Sequence, residues 1–363
     1  MSCVIKRVEP DCGNHRLTEA LRPSVRLLDS REWKRWDNFV NACPQATFFH
    51  RAGWQTVLEQ ALGHKTWFLY AESEGEIQGV LPLAEINSRL FGHSLSSLPF
   101  CVYGGIAAIS ERARQALDSE AQLLAARLQA DYLEYRNLMP SHPQWPTKDL
   151  YVTFRKSIEA EAEANMQGIP RKQRAMVRKG IKAGLQGHID DGIDRFFSAY
   201  SASVHRLGTP VFSKKYFRLL KQTFGQDCEL LVITSEEGKT ISAVMSFYFR
   251  DEVLPYYGGG THEARELAGN DFMYWELMRR ACERGCKVFD FGRSKRNTGS
   301  FDFKKNWGFE PQALYYEYQL HQARSIPDHN PLNPKYQRFI KAWQKLPLPV
   351  ANLIGPHIVK NLG

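Results

Sequence analysis

The chain has 363 residues, 43% of them hydrophobic and 24% charged, values that exclude a disordered or fibrous protein and indicate a globular one. A chain of this length is too long to fold around one ordinary hydrophobic core, which predicts two domains of about 150 residues each. The net charge of +9 and the pI near 9.1 favour polyanionic partners, because the summed charge attracts counter-ions. With no signal-peptide pattern and no run of about 18 apolar residues, the chain is expected to be cytoplasmic and not to span a membrane.

Neither the cysteines nor the histidines suggest a metal site. The seven cysteines are scattered without the close pairs that ligate zinc, so free thiols in a reducing compartment are expected. The Gly-x-Ser-x-Gly motif of serine nucleophiles is also absent. We therefore expect neither a bound metal nor a serine nucleophile of this type.

Two parts of the chain repeat one order of predicted elements. In the first, an amphipathic helix at 54–62 leads into a strand, a turn at 74–75 and a second strand. In the second, helices near 195–207 and 213–224 lead into a similar hairpin, whose turn lies at 237–238. The same local periods in the same order predict two units of one kind.

The repeat continues after the hairpins. Tyr-Gly-Gly occurs at 103–105 and again at 257–259, and a helix and a strand follow each copy. Glu134 and Asp290 occupy matching places in those two strands. Correspondences in one order with nearly equal spacing favour a duplication over chance.

The duplication predicts two mixed α/β domains with mixed sheets, lying side by side with a ligand cleft between them. The expected boundaries are an N-terminal extension at 1–24, a first domain at 25–150, a basic linker at 151–190, a second domain at 191–324 and a C-terminal tail at 325–363.

The linker contains a strongly basic predicted helix. In PRKQRAMVRKGIKAGLQ, the side chains of Arg171, Arg174, Arg178 and Lys182 fall on one helical stripe. Like charges at this spacing repel one another unless an anion bridges them. The stripe is interpreted either as a solvated helix face or as a phosphate-binding surface, and the pattern alone leaves both open.

The segment FDFGRSKRNTGSFDFKKNWGFEP, at 289–311, opens a buried strand into a cationic loop. Five cations follow Asp290 within a short stretch, and they must meet solvent or an anionic partner: Arg293, Lys295, Arg296, Lys304 and Lys305. This concentration favours chemistry on an anionic or polarised group.

FDFGRS followed by FKKNWG, together with RKQRAMVRKG, resembles the Fem family of acyltransferases. The further segments FFHRAGWQ, LPFCVYGG, VMSFYFRDEVLPYYGGG and NDFMYWELMRRACERG are similar to the Fem-like proteins of exosortase and PEP-CTERM exopolysaccharide systems, over about residues 25–363. The resemblance implies tandem acetyltransferase-type (GNAT) domains and transfer of an acyl or aminoacyl group to an amine. It also implies a setting in envelope or exopolysaccharide synthesis.

The resemblance places the donor at the start of a helix in the second domain. Gly258, Gly259, Gly260 and Asn270 match the position at which GNAT proteins hold the coenzyme A pyrophosphate. The loop departs from the usual one, because Asp271 follows where a Gly-x-Gly or Gly-x-Ala would complete it. Acyl-CoA and aminoacyl-tRNA therefore both stay open as donors, and the basic helix with Arg171, Arg174 and Arg178 would suit the second.

The catalytic candidates lie in the cationic loop. Lys304 matches the lysine of the Fem-type Phe-Lys pair and is assigned to the donor phosphate or carbonyl, against the alternative of a surface lysine. Arg293, with Ser294 beside it, is assigned to a carboxylate or phosphate, unless it only pairs with Asp302. Asp290 is a candidate base or a structural carboxylate. Beyond the loop, Tyr256 and Tyr257 would line the acceptor channel or be half-buried strand aromatics, and His205 is expected to be structural.

The sequence leaves three functions open. An acyltransferase acting on an amine-bearing envelope or polysaccharide precursor comes first. A non-catalytic protein binding nucleic acid other than DNA, or polysaccharide, on a degenerate GNAT scaffold comes second, and a scaffold of the polysaccharide machinery comes third. The tail is expected to pack on the second domain. Its aliphatic residues and lysines also leave open a peripheral contact with the inner membrane.

Overall fold

The computed structural model describes residues 23–88, 91–326 and 334–362. In these residues the chain forms two mixed β-sheets covered by helices, which confirms the predicted α/β class. The cysteines in the described ranges are all free and buried, as the scattered spacing predicted. Cys3 and Cys12 lie outside the described residues.

The first sheet has eight strands in the order β1-β2-β3-β4-β6-β15-β7, with β5 paired to β3. Strands β4 and β6 pair in parallel, and the other pairs are antiparallel. Its strands are β1 Ser24–Leu27, β2 Lys65–Ser73, β3 Glu76–Ser88, β4 Gly92–Ser97, β5 Ala107–Ala108, β6 Tyr132–Asn137, β7 Thr147–Lys148 and β15 Tyr315–Leu320.

The second sheet has seven strands in the order β14-β8-β13-β12-β11-β10-β9. Its parallel pair is β12 with β13, at the place that β4 and β6 occupy in the first sheet. Its strands are β8 Tyr151–Ser157, β9 Gln186–Ile189, β10 Cys228–Thr234, β11 Thr240–Phe249, β12 Glu252–Gly260, β13 Val288–Lys295 and β14 Pro311–Ala313.

The helices pack on the faces of the two sheets, and in the described ranges the α-helices are α1 Trp33–Ala42, α2 Gly53–Val57, α3 Glu111–Arg127, α4 Ala162–Gly168, α5 Arg171–Lys182, α6 Asp194–Arg206, α7 Lys214–Phe224, α8 Gly269–Glu283, α9 Gly299–Asn306, α10 Pro334–Gln344 and α11 Leu348–Val359. Helix α2 continues as a π-helix over Leu58–Leu62.

The repeated hairpins form as the sequence predicted. The first turn has Glu74 at φ 52° and Gly75 at φ 81°, the left-handed values that a tight antiparallel hairpin requires. Strands β2 and β3 pair from this turn, and β10 and β11 form the equivalent pair in the second half. Local alternation and turn chemistry therefore determine these elements.

Strands β8 and β15 belong to sheets other than those that the expected boundaries imply. Strand β8, placed in the linker by sequence, pairs with β13 of the second sheet. Strand β15, placed in the second domain, pairs with β6 of the first. Segment 151–190 is folded throughout, since it also supplies helix α5 and strand β9.

The two Tyr-Gly-Gly segments are not equivalent in the structure. Tyr257 and the glycines after it lie inside β12, whereas Tyr103 lies in a loop after β4. The strand that corresponds to β12 by its pairing is β4. The match was wrong because a short sequence identity does not register strand pairing.

An aromatic core joins the two sheets and fills much of the predicted cleft. The ring of Phe48 lies 4.7 Å from that of Phe224 and 4.5 Å from that of Phe247. Trp54 and Phe49 pack beside them, all buried. Each such side chain contributes roughly 1.5–3 kcal/mol on burial. The two sheets therefore share one core at this point.

Helices α10 and α11 pack against α6, which itself lies on β11 and β12, as expected for the tail. The chain between residues 327 and 333 lies outside the described residues. Among the helices that the structure describes, none combines the length and the apolar character needed to cross a bilayer.

Candidate functional site

The central parallel strands of the second sheet separate early. Their pairing ends at Val253 and Phe289, although β12 and β13 both continue beyond these residues. Strand β12 also has a bulge, between the residues that pair with Met245 and with Ser246 of β11. The bulge bends β12 near the point where its pairing with β13 ends. The two strand ends therefore form a wedge that can expose side chains of β13 to a ligand.

A second bulge, in β13, sets the direction of the side chains in the wedge. The register with β8 shifts between Asp290 and Gly292, and Gly292 has φ 67°, which only glycine adopts easily. The ammonium group of Lys304, from α9, donates to the carbonyl oxygens of Gly292 and Arg293, each at 3.0 Å. The bulge thus holds Lys304 and Arg293 together.

Asp290 is almost wholly buried, with 1% of its surface exposed. Its carboxylate accepts hydrogen bonds from the Gly292 amide at 2.7 Å and from the Tyr103 hydroxyl at 3.0 Å. Arg155 of β8 lies 3.6 Å away. Burial raises the pKa of this carboxyl, opposed by Arg155. With its acceptor positions occupied, Asp290 fits a residue that holds the bulge better than a base.

Arg293 is a half-buried cation without a carboxylate partner among the described residues. Its guanidinium donates to the Tyr316 hydroxyl at 3.0 Å and stacks over the Tyr151 ring at 4.7 Å. It does not pair with Asp302, which is exposed on α9. An uncompensated guanidinium in a wedge is suited to bind a carboxylate, a phosphate or a polarised carbonyl.

The crossing strand β15 brings residues of the first sheet to this site. Tyr316, fully buried, donates to the Val102 carbonyl at 2.8 Å and accepts from Arg293. The Arg136 guanidinium also lies over the Tyr316 ring, 5.3 Å from its centroid. Tyr316, Arg136 and Tyr103 were not among the site residues predicted from the sequence, because their role depends on pairings between the two halves. The tyrosines of YLEYRN and YYEYQL were the available signal.

Lys304 has a perturbed amine. Burial lowers its pKa to about 7; Asp290 opposes this shift, and Arg293 adds to it. The Nζ atom also lies 5.7 Å from the centre of the Phe154 ring. Its two hydrogen bonds to carbonyls leave the charged form with a third N–H, so Lys304 can donate one hydrogen bond to a ligand in the wedge.

Of the two adjacent tyrosines of β12, Tyr256 and not Tyr257 interacts with Arg293. The Tyr256 hydroxyl donates to the Phe100 carbonyl at 2.8 Å, and this side chain is half-buried. The hydroxyl of Tyr257 instead meets that of Tyr216 at 2.7 Å inside the aromatic core. Tyr256 lies in the bulge of β12, which explains why its side chain and that of Tyr257 have different surroundings. Ser294, also predicted for the site, is buried and its hydroxyl has no hydrogen-bond partner.

The predicted donor glycines are used for helix packing. A Cβ at Gly259 would lie 2.7 Å from Ser203 of α6, and one at Gly260 would lie 2.5 Å from Ala264. At Gly258 it would meet the Tyr274 hydroxyl of α8 at 3.0 Å. These glycines allow α6 and α8 to approach β12, and they leave little room for a phosphate.

The start of α8 does not reproduce the usual coenzyme cradle. Ala268 has the left-handed φ of 56° that a loop glycine normally adopts, and Asn270 follows with a buried, unpartnered Oδ1. Asp271 in the first turn accepts from the Trp307 indole at 3.2 Å and from Gln173 of α5. A buried carboxylate at this helix end disfavours a diphosphate, so the residues present do not fit coenzyme A in the usual way.

The predicted basic stripe is confirmed as a helix with unpaired charges. Helix α5 carries six cations, and among the described residues none of them forms an ion pair. Arg174 donates a hydrogen bond to the Gln167 carbonyl at 3.3 Å. Five of these cations line a surface groove of about 590 Å³ together with Ala175: Arg171, Arg174, Arg178, Lys179 and Lys182.

The basic helix adjoins the helix that carries Lys304. A second groove, of about 660 Å³, lies between the start of α5 and the end of α9 and is lined by Lys172 and Lys305, among others. Pro170 packs on Gly308 beside it. Cations therefore continue from α5 to α9, with Lys305 facing outward and Lys304 facing the wedge.

His205 is structural, as expected. Its Nε2 lies 3.2 Å from the Trp343 carbonyl, which joins α6 to α10. Within the described residues no cluster of three or more His, Cys, Asp or Glu side chains has the geometry to hold a metal ion.

Comparisons with known proteins support the architecture. Residues 171–305 match the family model of the acetyltransferase (GNAT) domain. That segment contains α5, α8, the wedge and Lys304. Of the two donors that the sequence left open, this match supports acyl-CoA and not aminoacyl-tRNA. No curated protein sequence matches the chain.

Solved structures show the same fold over most of the chain. FemX superposes with a TM-score of 0.66 at 16% identity, covering 87% of this chain and 100% of that one. L-PGS from Bacillus licheniformis gives 0.53 at 13% identity, covering 91% and 98%. A tandem GNAT protein from the clavulanic acid biosynthesis pathway gives 0.52 at 12% identity, covering 84% and 99%. The fold is that of two GNAT domains in tandem, as the sequence predicted.

Proposed function

We propose that the protein transfers an acyl or aminoacyl group from an activated donor to an amine, with the reaction taking place in the wedge between β12 and β13. The observation that carries this proposal is the pairing of two cations there. Arg293 has no carboxylate partner among the described residues, and Lys304 has a pKa of about 7 beside it. The GNAT domain match over 171–305 supports the same reaction class.

The reaction forms an amide without a covalent enzyme intermediate. The nitrogen of the amine attacks the donor carbonyl, the bond from that carbonyl to the leaving oxygen or sulfur breaks, and the amine proton ends on the leaving group. Lys304, with its third N–H, and Arg293 donate to the oxygen that gains negative charge, or to a donor phosphate. Asp290 keeps the bulge in place, and Ser294 and Tyr256 border the acceptor.

The donor we propose is polyanionic, and an aminoacyl-tRNA fits this description better than acyl-CoA. Helix α5 is about 18 Å long at the usual rise per residue, and its unpaired cations extend along it. Arg171, Arg174 and Arg178 would contact phosphates spaced along a strand. The carboxylate of Asp271 at the start of α8 argues against the usual coenzyme position.

The acceptor we propose is an amine-bearing precursor of envelope or exopolysaccharide synthesis. This setting is supported only by the sequence resemblance to Fem-like proteins of exosortase and PEP-CTERM systems. An amino sugar offers the required nucleophile, and the half-buried aromatic side chains of Tyr256 and Phe100 border the place where it would bind.

The first test is native mass spectrometry of the full chain with acetyl-CoA and, separately, with alanyl-tRNA, followed by product analysis with glucosamine as the amine. We expect a salt-sensitive complex with the tRNA and an alanyl amide product. Arg293→Ala should lose the product, whereas Arg296→Ala, which changes an exposed arginine paired with Asp149, should retain it.

The alternatives predict different results. Product from acetyl-CoA alone would keep the enzyme and reject the tRNA donor. Salt-sensitive tRNA binding without any product, at every pH tried, would instead favour the non-catalytic binding protein. Wild-type turnover in both Arg293→Ala and Lys304→Met would reject the wedge as the site.

A further inference from the structure

The last helix of the chain faces solvent with its larger apolar side chains. The buried face of α11 is built from Ala351, Gly355 and Val359. A Cβ at Gly355 would lie 3.0 Å from the backbone nitrogen of Val211, so the helix rests closely on the chain beneath it. Its outer face instead carries Leu353, 74% exposed, with its neighbour Ile354, 40% exposed.

This arrangement is the reverse of an ordinary surface helix, which buries its large aliphatic residues. On the next helix, Phe339 of α10 is also 42% exposed, and its ring stacks on that of Trp343, which would lie 3.6 Å from a Cβ at Gly355 of α11. Leu207, 70% exposed, lies between two residues that contact α10. A patch of this kind on a folded surface marks a place where the protein meets an apolar partner.

The charge of the same region is one-sided. From residue 334 to the end of the chain there is no aspartate or glutamate, while five lysines and arginines occur. Arg338, Lys341 and Lys345 are exposed, and within the described ranges they form no ion pair. An apolar face bordered by unpaired cations is complementary to a surface that is apolar inside and anionic outside.

We propose that α10 and α11 form a docking surface for the anionic face of a lipid bilayer, in which Leu353, Ile354 and Phe339 insert and the neighbouring lysines contact headgroups. A second copy of the chain is a poorer occupant, because two such cationic patches repel each other. The helix lies on the membrane and does not span it, in agreement with its 12 residues.

The surface is one layer away from the candidate active site. The carbonyl of Lys360, at the end of α11, contacts His64 at 2.7 Å, and the His64 ring stacks on Phe100. The Phe100 carbonyl accepts from Tyr256 of the wedge. Docking would therefore hold the wedge near the bilayer. The docking proposal itself does not depend on the proposed transfer activity.

The test is flotation of the full chain with vesicles of phosphatidylcholine, with and without phosphatidylglycerol. We expect binding only to the anionic vesicles, and weakening with salt. Leu353→Ser with Ile354→Ser should lower the partition coefficient about tenfold or more, since each side chain loses its burial in lipid. Ile109→Ser with Leu123→Ser, two similarly exposed residues of the first half, is the matched control and should bind as the wild type does.

Three results would overturn the proposal. One is no binding of the wild type to anionic vesicles, and another is equal binding of Leu353→Ser with Ile354→Ser. The third is loss of binding in Arg171→Ala, Arg174→Ala and Arg178→Ala combined while the α11 variant still binds, which would assign the contact to α5. Dimerisation in place of vesicle binding would indicate a second copy. Thermal unfolding of each variant verifies that the fold is intact.

Discussion

Strand β6 of the first sheet and strand β13 of the second occupy equivalent central positions, and each carries one carboxylate and one arginine. The two strands use these residues in opposite ways. In β6, Arg136 pairs with Glu134 at 3.0 Å, and both side chains are buried. In β13, Asp290 is held by the Gly292 amide and Tyr103, while Arg293 is left without a carboxylate. One strand is neutral and structural, and the other presents a cation to the wedge.

The pKa values of the two carboxyls reflect this difference. Burial acts to raise both, but Arg136 holds the pKa of Glu134 below its usual value. Burial prevails at Asp290, whose pKa is raised although Arg155 lies nearby. The bulge at Gly292 accounts for the difference between β13 and β6. It turns the Gly292 amide toward the Asp290 carboxylate and turns the Arg293 side chain toward Tyr316. A local backbone change therefore distinguishes a structural pair from a candidate site.

The largest effect is expected from breaking the pair in β6. Arg136→Ala leaves Glu134 buried without its counter-ion and should lower the free energy of unfolding by about 3–5 kcal/mol. Urea unfolding measures it. The double variant Glu134→Gln with Arg136→Met should recover a large part of the loss; a single variant as stable as wild type would show that the pair is not structural.

In β13 the same change should affect activity instead of stability. Arg293→Ala removes a cation that forms no ion pair with a carboxylate of the described residues, so the free energy of unfolding should change by less than about 1 kcal/mol. Its kcat/KM for amide formation should fall about 100-fold, the usual effect of losing one donor to a developing oxyanion. Arg296→Ala serves as the control. An unstable but fully active Arg293→Ala would reverse the comparison.

The pH profile tests the second cation of the wedge. Lys304 has a pKa of about 7 through burial, so its charged form is lost as the pH rises through 7. If the charged form donates to the donor carbonyl, kcat/KM should fall about tenfold per pH unit above 7. In Lys304→Arg this limb should vanish, whereas Lys305→Arg, next to it and exposed, should keep it. A limb unchanged in Lys304→Arg would contradict the role.

The crossing strand β15 supplies a test of how the halves are held together. His142 Nε2 lies 3.1 Å from the Asp118 carboxylate, and its Nδ1 forms a longer ion pair, at 3.6 Å, with Glu317 of β15. Burial acts to lower the pKa of His142, but these two carboxylates raise it to about 9. The stabilisation is complete below pH 6.5 and is lost as the pH rises through 9. With solvent screening it amounts to about 1 kcal/mol. Unfolding of the wild type and of His142→Gln at pH 6 and pH 9.5 measures it as a difference: groups such as Lys304 titrate in both proteins, and only the wild type should show the additional loss of stability at pH 9.5.

The smallest effect is expected at the bulge itself. In Gly292→Ala the new Cβ meets only Val102 at 3.8 Å, but φ 67° is unfavourable for alanine, at about 1 kcal/mol of stability. Gly299→Ala, at the open first position of α9, should be neutral or slightly stabilising. Thermal unfolding compares them. Equal effects would mean that the backbone at 292 is not restrictive.

The sequence by itself determined the elements and the chemistry of single segments. Alternation and turn residues predicted the hairpins of β2 with β3 and β10 with β11, because these depend on neighbours along the chain. The spacing of Arg171, Arg174 and Arg178 predicted a basic helix face. Cation density marked the segment that contains Arg293 and Lys304, and the resemblance to the Fem family selected Lys304 within it. Each of these signals is local.

Only the tertiary structure decided which of these residues meet. Tyr316 reaches Arg293 because β15 crosses into the first sheet, and Tyr103 reaches Asp290 from a loop that sequence identity had matched to β12. That Tyr256 and not Tyr257 lies at the wedge followed from a bulge in β12. Such contacts join residues far apart in the chain, and their register is set by the packing of both halves, which no local pattern encodes.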